Sequence, residues 1–200
     1  MCAEVSFVVA VLAGGRSTRM GRDKALLVHE GRTLLERQVT QAWGLAPQAV
    51  FVVGRAQAEL GKLQAVGLPD AQPGLGPLGG LATVLAATQA AHVLLLAVDM
   101  PALTAEFLRR LLVRRTPGVG VVPRSEHGWE PTVGLYPRAC IGAVEAAVAA
   151  GQLGFGRFVD RAVREGWVVA YGVGPEELPL LANWNTPEDL RDAVERGRGA

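Results

Sequence analysis

Short, strongly apolar segments recur along the chain and are closed by glycine or by an acidic residue. Val5–Leu12 runs into two glycines, Ala49–Val53 is a shorter run of the same kind, and His92–Val98 runs into Asp99. Continuous runs rich in valine and leucine are typical of strands that are buried on both faces of a parallel sheet. These segments therefore predict the central strands of such a sheet.

The stretches between these runs have apolar residues at intervals of three and four, which predicts helices. Thr33 and Glu36 have the spacing of a capping box, and Thr104 is a good N-cap. The predicted helices cover 33–44, 56–66, Leu81–Ala90, Thr104 to about Arg115 and Arg138–Ala150; further strands are predicted at Gly118–Val122 and Pro131–Tyr136. The Pro- and Gly-rich stretch 67–80 predicts a long loop.

The alternation of strands and helices predicts a three-layer α/β fold with a mostly parallel central sheet and right-handed crossovers. In such a fold the ligand crevice lies at the carboxyl ends of the strands. Two hundred residues, half of them apolar, can bury one substantial core, so we expect a single domain over residues 1–200.

The charge balance and the cysteine content of the chain limit the kinds of partner and of cellular compartment that we expect. The 20 basic and 19 acidic residues nearly cancel, which argues against binding to nucleic acid or to an anionic membrane. Two cysteines make neither a disulfide framework nor a metal pair, and the first apolar run is far too short to span a membrane. We therefore expect a soluble, cytoplasmic protein.

The segment from Leu12 to Lys24 concentrates groups that bind phosphate. It holds three glycines, three arginines, two hydroxyl residues and a lysine, directly after the first buried strand. Glycines let the backbone approach a ligand, and arginine and lysine supply cations for phosphate oxygens. GxxxxGK[ST] and GxGxxG are both absent, so two common nucleotide folds lose support. An arginine-rich surface turn is the alternative interpretation.

Lysine is rare in this chain, which has 18 arginines but only Lys24 and Lys62. A compact ammonium can follow a moving phosphate, whereas a planar guanidinium fits one fixed geometry. We therefore assign Lys24 to the reacting phosphates.

The motif LAGGRSTRMGRDKALL resembles the signature of the molybdenum cofactor guanylyltransferases, within the wider superfamily of sugar-nucleotidyltransferase-like proteins. Related cytidylyltransferases share its looser glycine–arginine–lysine frame, while the dipeptide Asp23-Lys24 favours the guanylyl branch. The resemblance implies a Rossmann-like fold of the nucleotide-diphospho-sugar transferase type, with a nucleotide-binding half at about 1–100 and an acceptor-binding half at about 101–200. It implies nucleotide contacts from Leu12, Ala13, Gly14, Gly15 and Lys24, and catalytic roles for Arg19 and Lys24.

Asp99 ends the third apolar run, and a carboxylate at the mouth of a sheet is suited to hold Mg²⁺ against a triphosphate. A turn or helix-capping aspartate is the alternative. The family has an aspartate in a matching D-x-P context. The resemblance thus makes Asp99 a catalytic residue, the ligand of Mg²⁺ and a part of the nucleotide site.

Two further segments match the nucleotide site of the family. Asp70 matches a position where the family uses an aspartate, although a turn residue is an equal alternative. Gly76-Pro-Leu-Gly-Gly80 resembles the segment that lines the base pocket, which assigns Gly79 and Gly80 to the nucleotide; a proline there also suits a helix start. The chain departs from the family after the second strand, where some guanylyltransferases have an asparagine and this chain reads Phe51-Val-Val-Gly-Arg55. A side-chain contact to the nucleotide is then missing there. This weakens the assignment of guanine as the base more than it weakens the assignment of nucleotidyl transfer.

The segment Asn183-Trp-Asn-Thr-Pro-Glu-Asp-Leu190 resembles the NxNTPEDL ending of the family. A helix cap explains residues 185–189 but does not explain Asn183. Asn183 and Asn185 are the only asparagines in the chain, and their spacing puts two amides on one face of an extended segment, suited to a pterin. Both are assigned to the acceptor. Glu130-Pro-Thr132 resembles another family segment near the acceptor, with an edge strand as the alternative.

The resemblance implies an activity: GTP and molybdenum–molybdopterin, with Mg²⁺ as cofactor, give the molybdopterin guanine dinucleotide cofactor and pyrophosphate. Arg19 and Lys24 would stabilise charge on the leaving pyrophosphate. The implied partners are these two substrates, with room for transient contacts with other cofactor-assembly proteins. The alternatives are a cytidylyl- or uridylyltransferase on the same frame, and a non-catalytic nucleotide-binding partner in cofactor assembly.

Overall fold

The computed structural model describes residues 6–14, 23–69 and 74–184, and within them a mixed sheet lies between two layers of helices. The strands are β1 (Phe7–Leu12), β2 (Val28–His29), β3 (Arg32–Thr33), β4 (Val50–Val53), β5 (Val66–Leu68), β6 (His92–Ala97), β7 (Gly120–Ser125), β8 (Gly128–Trp129), β9 (Val133–Pro137) and β10 (Val168–Gly172). The helices are α1 (Leu34–Trp43), α2 (Gly76–Ala87), α3 (Ala105–Val113), α4 (Ile141–Ala149) and α5 (Phe155–Arg164). None of these helices has the length and apolar character needed to cross a membrane.

The strands of the main sheet lie in the order β10-β7-β9-β6-β1-β4-β5, with β8 added beside β7. β1, β4, β5 and β6 are parallel to one another, and β10 is parallel to β7. β9 runs in the opposite direction between β6 and β7. The predicted mostly parallel sheet is confirmed, and the carboxyl ends of β1, β4 and β6 share one edge.

Helices cover both faces of the sheet. α1 and α3 pack on one face through residues such as Leu34, Val39 and Phe107. α2, α4 and α5 pack on the other face, where Leu81 and Val144 belong to a second buried cluster. Burying a side chain of this size stabilises the fold by about 1.5–3 kcal/mol relative to exposure. The predicted three-layer architecture is confirmed.

The first helix begins where its sequence signal predicts. The Glu36 amide donates to Thr33 Oγ1 at 3.1 Å, and the Thr33 amide donates to Glu36 Oε2 at 2.7 Å, which completes the capping box. At α3 the Phe107 amide donates to Thr104 Oγ1 at 3.2 Å. Both predicted N-caps are therefore confirmed.

The helix predicted over 56–66 is wrong. This stretch forms a 3₁₀ turn at Gln57–Leu60 and then enters strand β5. The Gln57 side chain holds the turn against the strand, because it accepts from the Gly67 amide at 2.8 Å and donates to the Ala65 carbonyl at 3.2 Å. Gly61, with φ of +55°, has a backbone conformation outside the helical region, so the helical turn ends there.

Two other boundaries differ from the prediction. α2 begins at Gly76 rather than at Leu81, with a proline in its first turn, so part of the predicted loop is helical. The predicted helix Arg138–Ala150 begins as a 3₁₀ turn and becomes α-helical from Ile141. Helix α5 and strand β10 were not predicted.

Candidate active site

The carboxyl ends of three strands form the floor of the candidate site. The Ala13 amide donates to the Val53 carbonyl at 2.9 Å, and the Val98 amide donates to the Leu12 carbonyl at 3.2 Å. The residues just after β1 are therefore held beside the ends of β4 and β6. Leu12, Ala13 and Gly14 lie at the edge of the sheet where the sequence predicts the ligand crevice.

Lys24 and Asp99 meet at this edge. Lys24 Nζ is 2.8 Å from Asp99 Oδ2, although 75 residues separate the two in the sequence. Their side chains are 20% and 19% exposed, so the pair is shielded but can still be reached by a ligand. Lys24 begins a 3₁₀ turn that Asp23 caps, with Asp23 Oδ1 accepting from the Ala25 amide at 3.1 Å. Two residues that the sequence assigns to the reacting phosphates and to the metal are thus in contact.

Arg55 joins the two ends of the glycine-rich segment. Its Nε donates to the Ala13 carbonyl at 3.2 Å, and the other side of its guanidinium pairs with the Asp23 carboxylate. Sequence reasoning treated Arg55 as a departure from the family and missed this role. A signal was present, because Arg55 lies two residues after a predicted buried strand and hence at the carboxyl edge of the sheet.

The turn after β4 also fits closely against the segment. Gly54 has φ of +87°, and a Cβ on Gly54 would stand 2.2 Å from the Cα of Gly14. Both the conformation and the contact exclude any larger residue. The backbone of β4 therefore contacts the start of the glycine-rich segment directly.

Gly79 and Gly80 lie in the first turns of α2 and are buried. A Cβ on Gly80 would stand 2.6 Å from Leu12 Cδ2, so this part of the helix packs against the end of β1. The structure therefore brings Gly80 and Leu12, which are both predicted to contact the nucleotide, together at one edge of the sheet.

The segment that contains Asn183 is held near Asp99 by a hydrogen bond of the next residue, Trp184. The Trp184 amide donates to the Asp99 carbonyl at 2.8 Å. The Trp184 ring is buried and packs edge-on against His29, with ring centroids 4.9 Å apart. Asn183 itself is exposed. Sequence reasoning did not assign Trp184 or His29, whose contact holds the predicted acceptor residue at the site.

The segment that contains Glu130 reaches the same edge because β9 is antiparallel. Val133, at the start of β9, pairs with Leu96 near the carboxyl end of β6. Glu130 is half-buried, and this burial raises the pKa of its carboxyl above the ordinary value. The neighbouring Trp129 donates from its indole nitrogen to Asp160 Oδ1 at 2.8 Å, which ties the hairpin β7–β8 to α5.

Four of the predicted site residues, Gly15, Arg19, Asp70 and Asn185, lie outside the described residues. In the described ranges, no cluster of three or more His, Cys, Asp or Glu side chains could hold a metal ion. Asp99 offers one carboxylate next to the glycine-rich segment, in contact with Lys24. Mg²⁺ is commonly held by one or two carboxylates together with substrate phosphates and water, so Asp99 fits Mg²⁺ that binds with a triphosphate.

The chain is similar to known nucleotidyltransferases. Residues 9–171 match the family of the MobA-like NTP transferase domain. A protein of Opitutus terrae named "Probable molybdenum cofactor guanylyltransferase" is 38% identical over 190 residues, covering 94% of each chain. A protein of the same name from Deinococcus radiodurans is 34% identical, again over 94% of each chain.

The chain is also similar to a solved structure. The molybdopterin-guanine dinucleotide biosynthesis protein A of Archaeoglobus fulgidus superposes with a TM-score of 0.75 at 25% identity, covering 96% of this chain and 100% of the other. The similarity therefore extends over the sheet and both helix layers.

Proposed function

Because the chain belongs to the family of MobA-like NTP transferases and is a nucleotidyltransferase, we propose that it transfers GMP from GTP to molybdenum–molybdopterin. The products are the molybdopterin guanine dinucleotide cofactor and pyrophosphate. The observation that carries the proposal is the contact of Lys24 with Asp99 at the carboxyl edge of the sheet, directly after the glycine-rich segment. Relatives that are named guanylyltransferases over nearly the whole chain support the choice of substrates.

The reaction is an in-line displacement. The terminal phosphate of the acceptor attacks the α-phosphorus of GTP, one P–O bond forms, and the bond to pyrophosphate breaks. Lys24 stabilises the negative charge that develops on the leaving pyrophosphate, and Arg19 is assigned the same task. The flexible stem of Lys24 allows its ammonium to turn from Asp99 to a phosphate.

We assign Mg²⁺ to Asp99, whose carboxylate Oδ2 lies 2.8 Å from Lys24 Nζ. When bound there, Mg²⁺ would neutralise charge on the phosphate oxygens. The chain's own contribution is to hold this carboxylate in place. The Asp99 carbonyl accepts from the Trp184 amide, which fixes the backbone of Asp99, and its Oδ2 accepts from Lys24 before the ammonium turns to a phosphate.

The nucleotide and the acceptor occupy different halves in this proposal. Leu12, Gly14, Gly79 and Gly80, with Gly15 and Asp70, line the nucleotide site, and small residues there let main-chain groups reach the purine. Asn183 and Asn185 bind the pterin of the acceptor through their amides. The packing of Gly80 on Leu12 and the contact of Trp184 with Asp99 support this arrangement.

The test is turnover of the purified protein with each of the four NTPs, Mg²⁺ and molybdenum-loaded molybdopterin, measured as pyrophosphate release and as dinucleotide product. We expect the highest kcat/KM with GTP, because a site built to pair guanine N1–H and N2–H rejects a base that lacks both donors. A higher kcat/KM with CTP would replace the proposal by a cytidylyltransferase. Binding of GTP without pyrophosphate release would indicate a non-catalytic partner in cofactor assembly.

A further inference from the structure

Arg55 connects two points of the chain that flank the glycine-rich segment. Its Nε binds the carbonyl of Ala13, directly before Gly14, and its guanidinium binds the carboxylate of Asp23, directly before Lys24. We infer that Arg55 is a positioning residue, which holds the two ends of the phosphate-binding segment together and thereby places Lys24, without binding the nucleotide itself. The inference rests on the proposed function only in taking this segment to bind a triphosphate.

A neighbouring carboxylate, four residues further along the chain, also holds the Arg55 guanidinium. The Arg55 side chain is only 14% exposed, and its Nη1 lies 3.6 Å from Glu59 Oε1. The other oxygen of Glu59 accepts from the Ala56 amide at 2.7 Å, which fixes that carboxylate next to the arginine. A planar guanidinium with partners on several sides has one orientation. Arg55 is therefore a rigid connection and not a mobile surface charge.

Asp23 transmits this connection to Lys24. One carboxylate oxygen of Asp23 caps the 3₁₀ turn that Lys24 begins, and the other faces Arg55. Lys24 in turn reaches Asp99. The contacts thus connect Arg55 through Asp23 to the turn at Lys24 and from Lys24 to Asp99, and a shift at Arg55 moves the backbone from which the Lys24 side chain extends.

Arg55 also compensates a charge. The Asp23 carboxylate stands beside the residue that is assigned to the triphosphate, and an unpaired carboxylate there repels phosphate. Pairing with Arg55 removes most of this repulsion. Loss of Arg55 therefore has a geometric effect and an electrostatic effect, and the second can be reversed by neutralising Asp23.

The experiment compares Arg55→Ala, Arg55→Lys and the double variant Arg55→Ala/Asp23→Asn with the wild-type protein. Calorimetry gives Kd for GTP and for GMP, and steady-state assays separate kcat from KM. We expect Arg55→Ala to weaken GTP binding by on the order of tenfold or more, with a smaller loss for GMP, since repulsion grows with phosphate charge. The GTP affinity of Arg55→Lys should lie between those of the wild-type protein and Arg55→Ala, because an ammonium keeps the charge but not the two-sided contact.

The double variant provides the decisive comparison. Asparagine keeps the cap of the 3₁₀ turn but carries no charge, so Arg55→Ala/Asp23→Asn should recover part of the GTP affinity that Arg55→Ala loses. A role of Arg55 in stability alone predicts no such recovery. If the double variant binds GTP no better than Arg55→Ala, the electrostatic part of the inference is overturned.

Arg138→Ala is the matched control. Arg138 is also a partly buried arginine that binds main-chain carbonyls, those of Leu85 at 2.7 Å and of Thr88, but it lies at the opposite edge of the sheet. Its variant should lower the melting temperature and leave Kd and KM for GTP unchanged. If Arg55→Ala behaves in the same way as this control, Arg55 is a structural residue and the inference fails. If CTP proves to be the substrate, the proposed function fails, while the same comparison with CTP and CMP still tests Arg55.

Discussion

Lys24 and Asp99 are the residues at which the sequence and the geometry agree most directly. Asp99 follows a predicted apolar run, and Lys24 ends the glycine-rich segment. The fold brings Lys24 Nζ to 2.8 Å from Asp99 Oδ2. The pair is only about one fifth exposed on each side, and in a shielded pair the cost of removing both charges from water offsets much of their attraction, so its net contribution to stability is small. The contact is therefore better explained by chemistry at this edge than by a need to stabilise the fold.

We predict that Lys24→Ala and Asp99→Ala each lower kcat/KM by on the order of 10²-fold or more, since each removes a preorganised charge. The melting temperature should change little. Lys62→Ala is the control, because Lys62 is exposed and is the other lysine of the chain. Near-native kcat/KM for either variant at saturating Mg²⁺ would show that the assigned roles are wrong.

The sequence located part of this site, for a physical reason. Gly14 and Asp99 each follow a run of buried strand, and parallel strands end at a common edge. The position of Arg55 after a buried strand indicated the same edge, but not its partners, because Ala13 and Asp23 are 42 and 32 residues away in the sequence. Their proximity follows from the pairing of β4 with β1, which a linear pattern does not contain.

At the scale of elements, the segment around Asn183 is positioned by its neighbour. Trp184 is buried against His29 and its amide binds the Asp99 carbonyl, while Asn183 remains exposed. An exposed asparagine whose neighbour binds the Asp99 backbone is suited to bind a second substrate at the candidate site.

We predict that Asn183→Ala weakens binding of molybdopterin and leaves the Kd for GTP unchanged. Because the side chain is exposed and the contacts of Trp184 are kept, the melting temperature should also stay the same. Separate titrations of GTP and of pterin into the variant, with a melting curve, make the measurement. Weaker GTP binding with intact pterin binding would reverse the assignment, and a lower melting temperature alone would leave a structural role.

The elements that the sequence predicted well carry strong local signals. α1 and α3 have N-caps whose side chains bind the first turn, and a cap acts over three residues. The helix predicted at 56–66 failed because Gln57 binds the backbone of the edge strand β5, a tertiary contact that overrides local helix propensity. α5 has buried residues at helical spacing, namely Phe155, Phe158, Val159 and Ala162, so its pattern was available to sequence reasoning.

At the scale of the molecule, the two edges of the sheet have different tasks. The carboxyl edge carries the candidate site, while the amino edge carries a buried histidine. His92 is fully buried at the start of β6, where its Nε2 lies 3.0 Å from the Val119 carbonyl. Burial lowers the pKa of His92 below its ordinary value of 6.5.

We predict that this histidine makes the fold acid-sensitive. Its pKa is lower in the folded state than in the unfolded state, so the unfolded chain takes up a proton first as pH falls below 6.5. The free energy of unfolding therefore decreases below that pH, by at most about 1.4 kcal/mol per pH unit from this group, and is unaffected above it. Urea unfolding at about pH 7.5 and about pH 5.5 measures the difference.

His92→Gln should reduce this difference, even if it lowers stability at both pH values. His127→Gln serves as the control, because that side chain is 74% exposed. An equal pH difference in wild type and His92→Gln would show that another group is responsible.

The contacts that assemble the site also bear on when it can form. The partner of Lys24, Asp99, lies 75 residues further along the chain, and the Asp99 backbone in turn accepts from the Trp184 amide. Contacts over such separations require long loops to close first, which makes parallel sheets slow to fold. During synthesis, the glycine-rich segment emerges well before Asp99 exists. A chain in which β6 is not yet docked beside β1 would lack the contact of Lys24 with Asp99, so the candidate site forms only after the central strands have paired.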